Sequence, residues 1–170
     1  SAALKHSTWI RQTGCGADMA VLWLIPFLPF LSATLMLLSA GRMPRYLAAW
    51  LGVGSIGLAA VCVALVARAY LADYQVQELT LWTWMSVDNF TPRIAFRVDG
   101  LTVVMMSVIT GVGFLIHLYS VEFMWEDESI CRYFAYMNLF VAAMLLLVMA
   151  DNLLLLYLGW EGVGACSYLL

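Results

Sequence analysis

A carboxylic acid, a histidine and two tyrosines are the side chains whose types and spacing could move protons. Glu161 lies in Asn152–Leu170, a stretch otherwise free of Asp, Glu, Lys and Arg. As a helix, that stretch puts Glu161 about 14 Å beyond Asn152, near the middle of a bilayer. Holding a carboxylate there costs about 2.5–3.5 kcal/mol on insertion scales, so such residues mark ion paths or specific interhelical bonds. Burial in hydrocarbon favours the neutral acid and a nearby cation favours the carboxylate, so the partner sets the protonation state.

Helical spacing surrounds Glu161 with Tyr157, Leu158, Gly164, Ala165 and Tyr168. A buried, polar-lined position is expected. Gly164 and Ala165 leave room on that face, Tyr157 and Tyr168 extend a hydrogen-bonding line along it, and Gly159 and Gly162 thin the helix further. Two readings stand open: a protonatable station on an ion path, or a neutral acid bonded to a neighbouring helix. The sole lysine, Lys5, is in the N-terminal tail and the arginines stand at span ends or in links. A cationic partner for Glu161 is therefore expected from other sequence or another subunit. His117 lies inside the third apolar stretch, where a local hydrogen bond is the default and a proton relay the alternative. Asn138 reads as interhelical glue.

The elements that must position these groups follow from composition. Apolar residues make up 64% of the chain and charged ones 11%. Met19–Gly41, Tyr46–Ala67, Gly100–Val121 and Tyr133–Ala150 carry no charge at all. About 20 such residues span the hydrocarbon core. A soluble protein of this length lacks the polar surface to cover so many apolar helices. The expected fold is an all-α integral membrane protein of about five transmembrane helices, near 19–41, 46–70, 100–121, 133–150 and 152–170. Pro26 and Pro29 are expected near an end of the first helix, where a missing N–H matters least.

Residues 1–18 form a polar tail without the pattern of a signal peptide, preceding a transmembrane domain over 19–170. Between the second and third helices, Leu79–Val87 and Arg93–Asp99 flank Asp88-Asn89 and Thr91-Pro92. Ile94, Phe96 and Val98 alternate with Arg93, Ala95 and Arg97. An extramembrane β-hairpin over about 79–99 is expected, with one apolar and one basic face. Trp82 and Trp84 suit the interfacial belt. Asp99 is placed to cap the third helix. The run Glu122–Arg132 reads as a solvated acidic loop. The basic link Gly41–Arg45 leans toward a cytoplasmic placement, putting the hairpin outside.

Other classes are disfavoured. A net charge of −3 offers no basic patch for nucleic acid. Cys15, Cys62, Cys131 and Cys166 stand far apart and suggest neither a zinc site nor a disulfide framework. No phosphate-cradling glycine loop or nucleotide fingerprint is present. No cofactor or metal is expected in this chain.

Several motifs, in order, carry a resemblance. Asp151-Asn-Leu-Leu-Leu-Leu-Tyr-Leu-Gly-Trp-Glu-Gly-Val-Gly164 and Cys166-Ser-Tyr-Leu-Leu170 resemble the fifth helix of the antiporter-like L subunit family of respiratory complex I. Leu81-Trp-Thr-Trp-Met-Ser86, Val98-Asp-Gly-Leu-Thr102, Thr110-Gly-Val-Gly-Phe-Leu-Ile-His-Leu-Tyr119 and Arg132-Tyr-Phe-Ala-Tyr-Met-Asn-Leu-Phe140 resemble it in sequence order. The resemblance covers residues 19–170, is closer to the bacterial form, and corresponds to the first third of that subunit. It implies a proton-translocating membrane piece of an NADH:quinone oxidoreductase in the bacterial inner membrane. NAD, FMN, iron–sulfur clusters and quinone would be held by other subunits, and the partners would be the other membrane subunits and lipid. The family's helix 5 glutamate falls on Glu161, whose partner there is a lysine on helix 7. The resemblance also implies a hairpin on the periplasmic face and no pumping by this chain alone. Two other readings remain: the large subunit of a multisubunit cation/proton antiporter, and a membrane scaffold without transport.

Overall fold

In the computed structural model, residues 10–11, 16–39, 42–73, 76–83 and 93–170 are described. Lys5 and His6 of the tail, both turn signals of the hairpin, and Trp84 lie outside the described residues, as does the side chain of Trp82.

Among the described residues, five helices carry the chain back and forth: α1 (Gly16–Leu38), α2 (Arg45–Asp73), α3 (Gly100–Phe123), α4 (Ile130–Met149) and α5 (Leu153–Leu169). The first four are long and apolar enough to cross a membrane; α5 is a shorter apolar helix. The architecture is that of an all-α integral membrane protein with a small sheet at one end. Starts are fixed by side chains that accept orphan amides. The Asp99 carboxylate accepts from Thr102 N at 2.9 Å, and the Asn152 amide oxygen accepts from Leu155 N at 3.0 Å.

Pro26 and Pro29 fall in the middle of α1, not near an end, because helical apolar sequence continues for about two turns or more on both sides of them. Each proline removes one backbone donor. The Ser32 hydroxyl lies 3.0 Å from the Pro29 carbonyl.

Three strands form the sheet, in the order β1 (Ile10–Arg11), β2 (Val76–Thr83), β3 (Arg93–Val98). β2 and β3 are antiparallel from Gln77↔Val98 to Thr83↔Arg93, with a register irregularity between Thr80 and Trp82. β1 pairs in parallel with β2, so part of the N-terminal tail joins the sheet. Phe96 and Val98 are buried and Arg97 is exposed, as alternation requires. Ala95 departs from the pattern and is buried too. Its carbonyl accepts the Asp151 amide at 3.2 Å, and Phe96 bridges to Ala150. The α4–α5 turn thus pairs with the free edge of β3.

α4 is the central helix, packed on α1, α2, α3 and α5. Two apolar clusters occupy its two ends. At the sheet end, Ile25, Ile56, Phe96, Val98, Met106, Leu145 and Met149 pack together. At the other end, Met36, Ala48, Ile130, Phe134 and Ala135 do so. Between helices α1, α2 and α4 runs a buried polar row: Ser32 Oγ to Ser55 Oγ at 3.0 Å, and Ser55 Oγ to Asn138 Oδ1 at 3.0 Å. Asn138 Nδ2 donates to the Phe134 carbonyl at 3.0 Å.

Candidate functional site

α5 meets α4 through one narrow seam. Leu155, Gly159 and Cys166 are buried on it, and Gly162 is half-buried. These positions recur at helical spacing, so they share one face. The two backbones approach closely there: a Cβ on Gly159 would lie 2.8 Å from the Leu147 Cα and N, and one on Gly162 would lie 3.1 Å from the Ala143 Cβ. The glycines that seemed to thin the helix are therefore its contact with the bundle.

Each residue turns a helix by 100°, so Glu161 points about 200° away from Gly159. Glu161 is accordingly exposed, together with Tyr157, Leu158, Gly164, Ala165 and Tyr168. This corrects the expectation of a buried, polar-lined carboxyl. Tyr157, Glu161 and Tyr168 do share a face, but it is the outer face of the described bundle, because Gly159 and Gly162 claim the inner one. The Tyr157 and Glu161 side chains lie one turn apart on this face, near enough to act on each other electrostatically. Tyr168 shares the face at 90% exposure, two turns beyond.

His117 is fully buried in α3. Its Nδ1 lies 2.7 Å from the Gly113 carbonyl, so Nδ1 carries the proton and donates, and Nε2 has no hydrogen-bond partner among the described residues. The ring packs 5.9 Å, centroid to centroid, from that of Phe134. No hydrogen bond joins His117 to the Tyr157–Glu161 pair. Of the four titratable groups singled out in the sequence, the structure places Tyr157, Glu161 and Tyr168 on one helix face and His117 apart from them.

Sequence reasoning found Asn138 but missed its partners Ser32 and Ser55. Ser55 lies 83 positions from Asn138 and Ser32 a further 23 from Ser55, separations that carry no spacing signal. Tyr133 and Ser120, whose hydroxyls lie 3.0 Å apart between α4 and α3, were missed for the same reason. Among the described residues, no group of three or more His, Cys, Asp or Glu side chains could hold a metal ion.

Comparison with known proteins adds a family. Residues 84–134 match the family described as NADH-Ubiquinone oxidoreductase (complex I), chain 5 N-terminus. The chain is 50% identical over 153 residues to NADH-quinone oxidoreductase subunit L of Escherichia coli, covering 89% of this chain and 25% of that protein. The same subunit of Pseudomonas aeruginosa is 46% identical over 151 residues, covering 87% and 24%. That of Mycobacterium tuberculosis is 39% identical over 152 residues, again covering 87% and 24%. The chain spans about a quarter of the length of these relatives.

Proposed function

Since the chain is a homologue of the N-terminal portion of NADH-quinone oxidoreductase subunit L, we propose that it is part of a proton-translocating membrane subunit. In this reading electron transfer occurs in other subunits, which hold NAD, FMN, iron–sulfur clusters and quinone. Residues 19–170 form the first portion of the antiporter-like domain, preceded by a polar tail over 1–18. The subunit lies in a bacterial inner membrane beside the other membrane subunits of the complex, with the sheet on the periplasmic side.

The observation that carries the reading is the outward-facing Tyr157–Glu161 pair at mid-helix. A carboxyl at that depth must be covered by protein or by a water-filled cavity rather than by lipid. A helix carrying a cation, as the family resemblance supplies with its helix 7 lysine, would both cover the face and set the charge of Glu161. A shift of charge near that pair then changes the proton affinity of the cation and of the path beyond it. Tyr157 stands one turn before the carboxyl and Tyr168 two turns beyond it, so both hydroxyls are available to the same path. His117, with Nε2 closed into apolar packing, is read as a packing residue.

Replacement of Glu161 by Gln in the complete subunit, within the assembled complex, tests this. The proton-to-electron ratio, measured in membrane vesicles during NADH oxidation, is expected to fall. A ratio equal to wild type would leave only a scaffold.

A further inference from the structure

The α4–α5 seam has a consequence for Glu161 that follows from backbone geometry. Gly159 has no space for a methyl group. The three atoms that a Cβ would meet, all at 2.8 Å, are the Leu147 N, Cα and Cβ, which are part of or fixed to the backbone of α4. Relieving that contact requires α5 itself to shift or turn, by about 1 Å to reach ordinary carbon–carbon separation. Glu161, about 200° around the same helix, moves with it.

We propose that Gly159 is a positioning residue: its contact with Leu147 sets the rotation of α5 and thereby the direction in which Glu161 is presented. Gly162 supports this setting more softly, since its 3.1 Å neighbour is a single methyl carbon, the Ala143 Cβ. Gly164, with nothing within 4 Å of its missing Cβ, has no part in the seam. The inference rests on the reading of Glu161 as a protonatable station. It adds that the station's aim is fixed from the opposite side of the helix, by the absence of a side chain.

The test uses the complete subunit in its assembled complex and two readouts. One is the rate at which a hydrophobic carbodiimide modifies Glu161, followed by mass spectrometry; the other is the proton-to-electron ratio. In Gly159→Ala the modification rate is expected to change by about tenfold or more, with a lowered ratio, since an ångström of misplacement has effects of that order. Gly111→Ala, a site with open space in α3, should leave both at wild-type values. A Gly159→Ala complex that assembles normally and is modified and pumps like wild type overturns the proposal. Should that variant fail to assemble, Gly162→Ala decides. It should shift the modification rate, and adding Ala143→Gly, which removes the opposing methyl, should restore it. No shift, or a shift that Ala143→Gly leaves in place, overturns the proposal. An unchanged ratio in Glu161→Gln would instead sink the proton-path reading, while the modification rate would still report how Glu161 is aimed.

Discussion

The ring of Phe134 fills the groove that Gly52 leaves on α2: a Cβ at position 52 would lie 2.7 Å from the ring's Cδ1. Phe134 is fully buried among Met36, Ala48 and Ala135, so the ring has nowhere to retreat. Gly52→Ala is expected to destabilise the bundle by about 1–3 kcal/mol, the usual range for overpacking. Gly54→Ala, where the space is open, should change stability by no more than a few tenths. Thermal aggregation midpoints of the two purified variants, compared in one detergent, distinguish these outcomes.

The Ser32–Ser55–Asn138 row predicts coupled losses. Each serine has one hydroxyl proton to share between its own i−3 carbonyl and its neighbour across the helices. Asn138→Ala and Ser55→Ala should each lower stability by about 0.6–1.7 kcal/mol, as interhelical bonds in membranes do. The double variant should lose less than their sum. Strict additivity in a double-mutant cycle would show that the row is not a network.

Asp99 gives the sheet end an acid sensitivity with a defined sign. The Thr102 amide, aided by its hydroxyl and the nearby Arg97 charge, holds the Asp99 carboxyl below the usual carboxylate range. The unfolded chain binds that proton more readily, so the cap stabilises fully above the ordinary Asp value of about 3.9 and fades as pH falls through the lower folded value. Asp99→Ala should cost about 0.5–2 kcal/mol at neutral pH. The gap between wild type and variant should close as pH falls below about 4. Melting curves from pH 3 to pH 7 would contradict the assignment if the gap stayed constant.

His117→Phe keeps a ring against Phe134 and removes an acceptor that has no donor among the described residues. Losing one hydrogen bond while relieving one unpaired nitrogen should nearly balance, leaving stability within about 1 kcal/mol of wild type. The proton-to-electron ratio should not move. A fall in that ratio, with normal assembly, would return His117 to the proton path.

Much of the frame was legible because the membrane imposes one strong pattern. Four uncharged runs and a fifth broken only by Glu161 located the five described helices, and Asp99 stood where a cap must stand. The register of Phe96 and Val98 also followed from alternation. What escaped the sequence was which side of each helix faces which neighbour. Almost every residue of α5 is apolar or small, so polarity cannot separate an inner from an outer face. Gly159 and Gly164 look alike in the sequence; one touches the backbone of α4 and the other touches nothing. The bond between Ala95 and Asp151, 56 positions apart, runs through main-chain atoms that every residue type shares.

That last contact has a wider meaning. The sheet is tied to the start of α5 by an amide and a carbonyl, so side chains at 95 and 151 can drift without untying it. Alanine scanning would pass over the tie in silence; only the loss of the amide hydrogen itself, as in Asp151→Pro, would open it. The chain therefore holds the foot of its acid-bearing helix to an external platform by a fastening that is hidden from most single-residue surveys.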